Sequence, residues 1–185
     1  MFKPLYMGTN HMLGQDTSVP LTTNNFEVRV YPSGGATNTP PGGNNDLLTL
    51  ATDEVGNVVE EQDSIIVHYG NGIIKFPSKV TYGEVNWTLN CYCEPNVLEA
   101  LRAWRKQVYD PETETYGLPS EYMRDVYFIR YDGRGNVRDA IKCPGTWIGA
   151  LDNGAMNQVG GDVVKVSVPL VISKAIYLKK SDLNQ

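Results

Sequence analysis

The stretch from Ile65 to Cys93, IIVHYGNGIIKFPSKVTYGEVNWTLNCYC, most narrows what this chain can fold into. Successive side chains of an extended strand leave opposite faces, and the alternation here predicts two ribbons of a sheet with one buried and one open face. Gly70-Asn71-Gly72 separates strands at 64–69 and 73–80, and residues that tolerate positive φ predict a tight hairpin turn there. In the next strand Val85, Trp87, Leu89, Cys91 and Cys93 share a face, against Asn86, Thr88, Asn90 and Tyr92 on the other.

Upstream, Phe26, Val28 and Val30 alternate with Glu27, Arg29 and Tyr31, which predicts a first strand. Residues 1–25 have no such period and form an N-terminal arm, ordered only by contact. Residues 33–45, SGGATNTPPGGNN, hold too much Gly, Pro and Asn for a helix or a central strand and predict a long exposed loop. Residues 47–51 predict a short apolar strand, and residues 52–63, TDEVGNVVEEQD, an acidic loop turning at Gly56-Asn57.

Downstream, Glu94-Pro95-Asn96 opens a helix over 95–109, with Pro in the first turn, where its missing donor does no harm. Val97, Leu98, Leu101, Trp104 and Val108 fall at helical spacing, so this stripe packs on the sheet, while Glu99, Arg102, Arg105 and Lys106 lie largely opposite. A polar loop follows over 111–120. Strands at 126–131 and 137–142 then flank Asp132-Gly133-Arg134-Gly135-Asn136, a second hairpin turn. A long strand over 162–178 sets Val164, Val166, Val168, Leu170 and Ile172 on one face. Pro169 within it lacks a ladder donor, which predicts a bulge or a sheet edge there. Residues 179–185 form a C-terminal tail.

At 185 residues the chain suits one well-buried domain with extensions. No secretory pattern opens it, and no segment nears the roughly 20 apolar residues that span a bilayer, so no membrane partner is expected. A formal net charge of −5 argues against a broad grip on nucleic acid, which needs a clustered basic face. Cys91, Cys93 and Cys143 are too few for a disulfide framework and read first as small buried hydrophobes. A disulfide, even one between subunits, is second; a zinc site, which would need one of the two histidines, His11 or His68, is last.

Nothing in the chain assembles into a recognisable catalytic set. The acidic group Asp53, Glu54, Glu60, Glu61 and Asp63 is first a solvated loop, then a contact between subunits, and last an acid–base site, which would need a cleft and shifted pKa values. Asp132 to Asn136 begins like a calcium loop but lacks its later Gly and Glu. Neither histidine has a nucleophile placed beside it. Trp87, Trp104 and Trp147, with Tyr82, Tyr92 and Tyr127, lie where core or interface packing is expected before a sugar platform. No cofactor is implied, and enzymatic function is not expected.

Taken in order, the segments NNFEVRVY, DLLTLAT, the acidic run, GIIKFPSKVTYGEVNWTLNCY, NVLEALRAWRKQV, CPGTWIGALD and NQVGGDVVKVSVPLVIS resemble the tail tube proteins of bacteriophages. The likeness is strongest to those of contractile, myovirus-type tails, which are related in fold to the type VI secretion tube protein, and it spans residues 25–178. It implies a mainly β chain: an antiparallel sandwich or barrel-like domain over 26–178 with one flanking helix, joining in hexameric rings that stack into a hollow tube. Edge strands give this a physical basis, because unpaired donors and acceptors invite pairing with a second chain and a closed ring satisfies them.

By the same resemblance the protein is a structural component of the virion tail, assembled in the host cytoplasm and guiding the genome during ejection. Its implied partners are copies of itself, the sheath, a tape measure protein in the lumen, the baseplate hub and the tail terminator. DNA passes without specific binding, and mild negative charge suits a conduit that phosphates must not adhere to. Asp53, Glu54, Glu60, Glu61 and Asp63, with the arm, match regions that join stacked rings; Arg102, Arg105 and Lys106 are candidates for touching an acidic sheath surface. The rival readings are a type VI secretion tube or tail-completion ring protein and, in another class, a monomeric carbohydrate-binding β-sandwich.

Overall fold

The computed structural model describes residues 23–32, 45–92, 96–132, 135–154 and 162–178. Most of the expected arm, the loop 33–45 up to its last residue, Cys93, Pro95, His11 and the tail 179–185 lie outside the described residues.

Strand β1 (Phe26–Pro32) leads to helix α1 (Asn45–Ala51), β2 (Thr52–Val55), the hairpin β3 (Glu60–Tyr69) and β4 (Gly72–Tyr82), and β5 (Val85–Asn90). Helix α2 (Val97–Val108) follows, then the short hairpin β6 (Tyr109–Asp110) and β7 (Thr115–Tyr116), the single turn α3 (Pro119–Tyr122), β8 (Arg124–Tyr131), β9 (Val137–Ile148), β10 (Lys165–Val171) and β11 (Ile176–Leu178). Seven strands form one antiparallel sheet in the order β1-β8-β9-β10-β5-β2, with β11 also on β9.

The sheet folds over on itself because β9 serves two halves. It pairs with β8 from Val137 to Thr146, with β11 at Ala140 to Lys142, and with β10 at Trp147 and Ile148. Gly145, at φ 68, lies in the register shift between the Cys143 and Thr146 pairings with β8, just before β9 passes to β10, a left-handed conformation that glycine adopts without strain. Val28, Val30 and Val126 from one half meet Trp87, Leu89, Val166, Val168 and Leu170 from the other in a single core. Val97, Leu101 and Trp104 of α2 complete it, as the spacing predicts. The result is the expected mainly antiparallel β domain with a flanking amphipathic helix.

Helix α2 is capped by Asn96, whose side chain accepts from the Glu99 N–H at 3.2 Å. The two buried indoles find acceptors: Trp87 Nε1 donates to Thr52 Oγ1 at 3.1 Å and Trp104 Nε1 to the Tyr122 carbonyl at 2.8 Å. The bulge or sheet edge expected at Pro169 is not found: β10 lies between β9 and β5, and Pro169 pairs with Asn86 in unbroken register. Its carbonyl accepts from Gly149 N–H at 2.9 Å, just past the end of β9, so its missing donor falls at the end of the β9 ladder rather than within it.

Four further expectations change. Residues 47–51 belong to helix α1, not to a strand, since a run this short carries no distinguishing period; Leu48 and Ala51, one face of a turn, are buried, and Thr49 Oγ1 donates to the Val28 carbonyl at 2.6 Å. The acidic run 52–63 is mostly strand: Thr52–Val55 pairs with β5, and only residues 56–59 separate it from β3, because exposed edges tolerate carboxylates well. The terminal strand is two. Ile172 and Ala175 turn into a second buried cluster, and the chain then crosses from β5's partner β10 to β9's partner β11. The polar stretch 111–120 likewise contains β7 and the start of α3.

Candidate assembly surfaces

The hairpin β3–β4 is a two-stranded sheet of its own, bonded to no other strand among the described residues. Its turn follows from sequence: Gly70 has φ 58, and with Asn71 it forms the two-residue loop between Tyr69 and Gly72. Every residue of β3 is exposed. This corrects the expectation of one buried face, for the ribbon is open on both sides.

Cross-strand pairs share a face, which sorts the ribbon's side chains. Ile65 pairs with Phe76 and Val67 with Ile74, so these four, with Tyr69, make one apolar face; Ile66 with Lys75 and His68 with Ile73 make the other, mixed one. Phe76 is 50% exposed and Tyr69 79% exposed. A register shift between Gln62 and Ser64 divides this apolar half from a polar base, and Pro77 is accommodated beside it. A two-stranded ribbon is marginal alone in water, so large apolar residues on both its faces mark a surface to be covered.

The five acidic residues do not form one site. Asp53 lies on β2, where its carboxylate takes a 2.7 Å hydrogen bond from Lys165 Nζ and a 3.2 Å bond from Asn90 Nδ2; these hold its pKa below the ordinary value and raise that of Lys165. Glu54 lines a cavity beside it. Glu60, Glu61 and Asp63 lie instead at the base of the ribbon, where Glu60 accepts from the Tyr177 hydroxyl at 3.3 Å. Of the three basic residues on α2, Arg102 donates to Asn153 Oδ1 at 3.0 Å, and Lys106 is 3.0 Å from Glu112 and 3.7 Å from Asp110, which raises its pKa. Arg105 is half-buried.

The cavity, of about 610 Å³, opens between the Phe26 end of β1 and the segment from Asp53 to Val58. Phe26, Val55, Val58, Phe128 and Ile141 supply its apolar wall; Glu27, Asp53, Glu54 and Asp139 supply acid, with Arg130 the cation among the described lining residues. Sequence reasoning missed it. Its walls come from β1, β2, β8 and β9, and only the fold brings those together.

Trp87 and Trp104 are buried and form no platform for a sugar. Among the described residues no cluster of three or more His, Cys, Asp or Glu could hold a metal, and no helix is long and apolar enough to cross a membrane. Cys143 is buried and Cys91 half-buried, both as free thiols.

No protein-family profile matches the sequence, and neither does any curated protein. Solved structures are similar in fold at low identity. A chain in the cryo-EM structure of the anti-feeding prophage tube-terminating cap superposes with TM-score 0.64 at 12% identity, covering 86% of this chain and 91% of that one. A chain of the anti-feeding prophage baseplate gives 0.64 at 9% identity, covering 88% and 98%. A chain of the extended sheath–tube complex of the PVC extracellular contractile injection system gives 0.63 at 12% identity, covering 92% and 97%. The protein thus has the tail-tube fold found in contractile injection systems, and as a fold it resembles the tube proteins of contractile tails.

Proposed function

We propose that this chain is a non-enzymatic structural subunit of the inner tube of a contractile phage tail, polymerising as stacked hexameric rings that form the conduit for genome ejection. The observation that carries the reading is the ribbon β3–β4, whose large apolar side chains are exposed on both faces of a domain that otherwise buries its own core. A monomeric protein leaves such a surface exposed at the risk of aggregation; a polymer covers it. The likeness to chains of a sheath–tube complex and a baseplate supports the same setting.

In this reading Glu60, Glu61 and Asp63, at the ribbon's base, are the acids placed to meet a stacked ring, while Asp53 is engaged by Lys165 within its own subunit. Arg102, Arg105 and Lys106 face a sheath: Arg102 and Lys106 are exposed but already have partners, and Arg105 is half-buried. A tape measure protein occupies the lumen before DNA passes through.

A second reading, a ring that terminates the tube, is favoured by the likeness to the tube-terminating cap. Negative-stain electron microscopy of the purified protein over a range of concentrations tests both. Hollow tubes that lengthen with concentration support the tube subunit; rings that never stack support the terminator; monomers at every concentration refute self-assembly and return attention to a binding module.

A further inference from the structure

The ribbon and the cavity are unlike patches at different places on one subunit, and they complement each other. The ribbon's distal half carries apolar side chains together with Lys75, which makes no ion pair among the described residues. The cavity offers an apolar wall of Phe26, Val58 and Phe128 and an acidic rim. On that rim Glu27 is held by Arg29 at 2.6 Å, Asp53 by Lys165 at 2.7 Å and Asp139 by Arg130 at 3.5 Å, whereas Glu54 makes no ion pair among the described residues. Glu54, which feels Lys165 only at longer range, and the ribbon's Lys75 both lack a close ion pair among the described residues and are of opposite charge.

The subunit's own ribbon does not fill its own cavity. The ribbon springs from the cavity's border, where Gly83 N–H donates to the Val59 carbonyl at 3.0 Å beside Val58. From there ten extended residues carry Tyr69 roughly 30 Å away, at about 3.3 Å per residue. Helix α1 occupies β1 at Val28, through Thr49, but the cavity lies at the Phe26 end.

We propose that the distal ribbon, residues 65–76, inserts between β1 and β2 of a neighbouring copy of this chain, seating Ile65 and Phe76 on Phe26, Val58 and Phe128 and bringing Lys75 to Glu54. The inference rests on the self-assembly proposed above and assigns its socket. Because plug and socket differ, the contact is heterologous, and repeated around an axis it closes a ring or continues along a filament. A volume of about 610 Å³ admits a few large side chains and not a whole domain, which suits a ribbon.

Photo-crosslinking tests this directly. The variant Phe76→p-benzoylphenylalanine, and separately Tyr69→p-benzoylphenylalanine, is assembled as a mixture of isotopically light and heavy protein, imaged, irradiated and digested for mass spectrometry. The expected result is mixed-label crosslinks to peptides containing residues 53–58 or 128–141. If tubes form and both probes crosslink only elsewhere, the socket is overturned and the tube reading stands. If crosslinks reach the cavity in oligomers that have no lumen, the socket stands and the tube reading fails. If the unsubstituted protein and both variants stay monomeric, with no mixed-label product, both are overturned.

Discussion

Gln107 Oε1 accepts a 2.7 Å hydrogen bond from the Arg124 guanidinium, tying the last turn of α2 to the first residue of β8 inside the protein. Arg124 is fully buried, and its remaining bonds go to the carbonyls of Glu121 at 2.6 Å and Met123 at 3.0 Å, none of them to a carboxylate. Burial accordingly lowers its pKa. Gln107→Ala leaves a second guanidinium nitrogen, beside the already unpartnered Nε, without an acceptor and should destabilise the protein by about 1–3 kcal/mol in urea unfolding. An unchanged midpoint would show that water reaches Arg124.

Leu101 anchors the centre of α2 in the core. Leu101→Ala should cost about 2–5 kcal/mol in the same assay. A loss under about 1 kcal/mol would place the helix stripe outside the core and contradict the packing described.

Reversing charge at the ribbon's base, in Glu60→Lys with Glu61→Lys, should shorten tubes while leaving single rings intact, because these acids are exposed and contribute nothing to the core. Tube length and ring count on electron micrographs decide it. Tubes of parental length would remove these residues from any stacking role.

Ile65 and Phe76 are exposed, and the proposal assigns them to assembly, so Ile65→Thr combined with Phe76→Thr should leave unfolding stability within about 0.5 kcal/mol of the parent. The concentration needed for assembly should rise at least about tenfold, corresponding to 1.4 kcal/mol of lost contact. A large stability loss with normal assembly would reverse the assignment.

Burial pushes the Cys143 thiol from an ordinary 9.0 up to about 12. The folded protein keeps it neutral while the unfolded chain ionises, so this contribution is complete below pH 9 and is lost as pH rises towards 12, by at most ~1.4 kcal/mol per unit. Cys143→Ala should therefore flatten the alkaline fall in stability. The prediction is falsified if denaturant midpoints of parent and variant fall in parallel across that window.

How much of this was legible in the sequence depended on whether a strand's partner surface lay within the chain. Val85, Trp87 and Leu89, and Val166, Val168 and Leu170, alternate cleanly because β5 and β10 pack one face on a core and turn the other outward. The stripe of α2 was equally plain. In β3 and β4 apolar residues fall on both faces, and no periodicity tells whether the second cover comes from the same chain or from another. Helix α1 was missed because seven residues hold too few turns to show a period, and the break between β10 and β11 because Ile172 and Ala175 continue the apolar pattern while changing its direction. The candidate socket left no local trace at all, its walls being contributed by segments as distant as Phe26 and Ile141.

One strand also decides how the subunit bears load. β9 is twelve residues of uninterrupted chain that belongs to both halves of the sheet, with β8 along one side and β11 and then β10 along the other. Pulling the halves apart would have to break several of these ladders, since β9 itself runs through both halves. In the assembly proposed above, a subunit built on such a spine would resist axial force as one body, because β9 is hydrogen-bonded in both halves of the sheet.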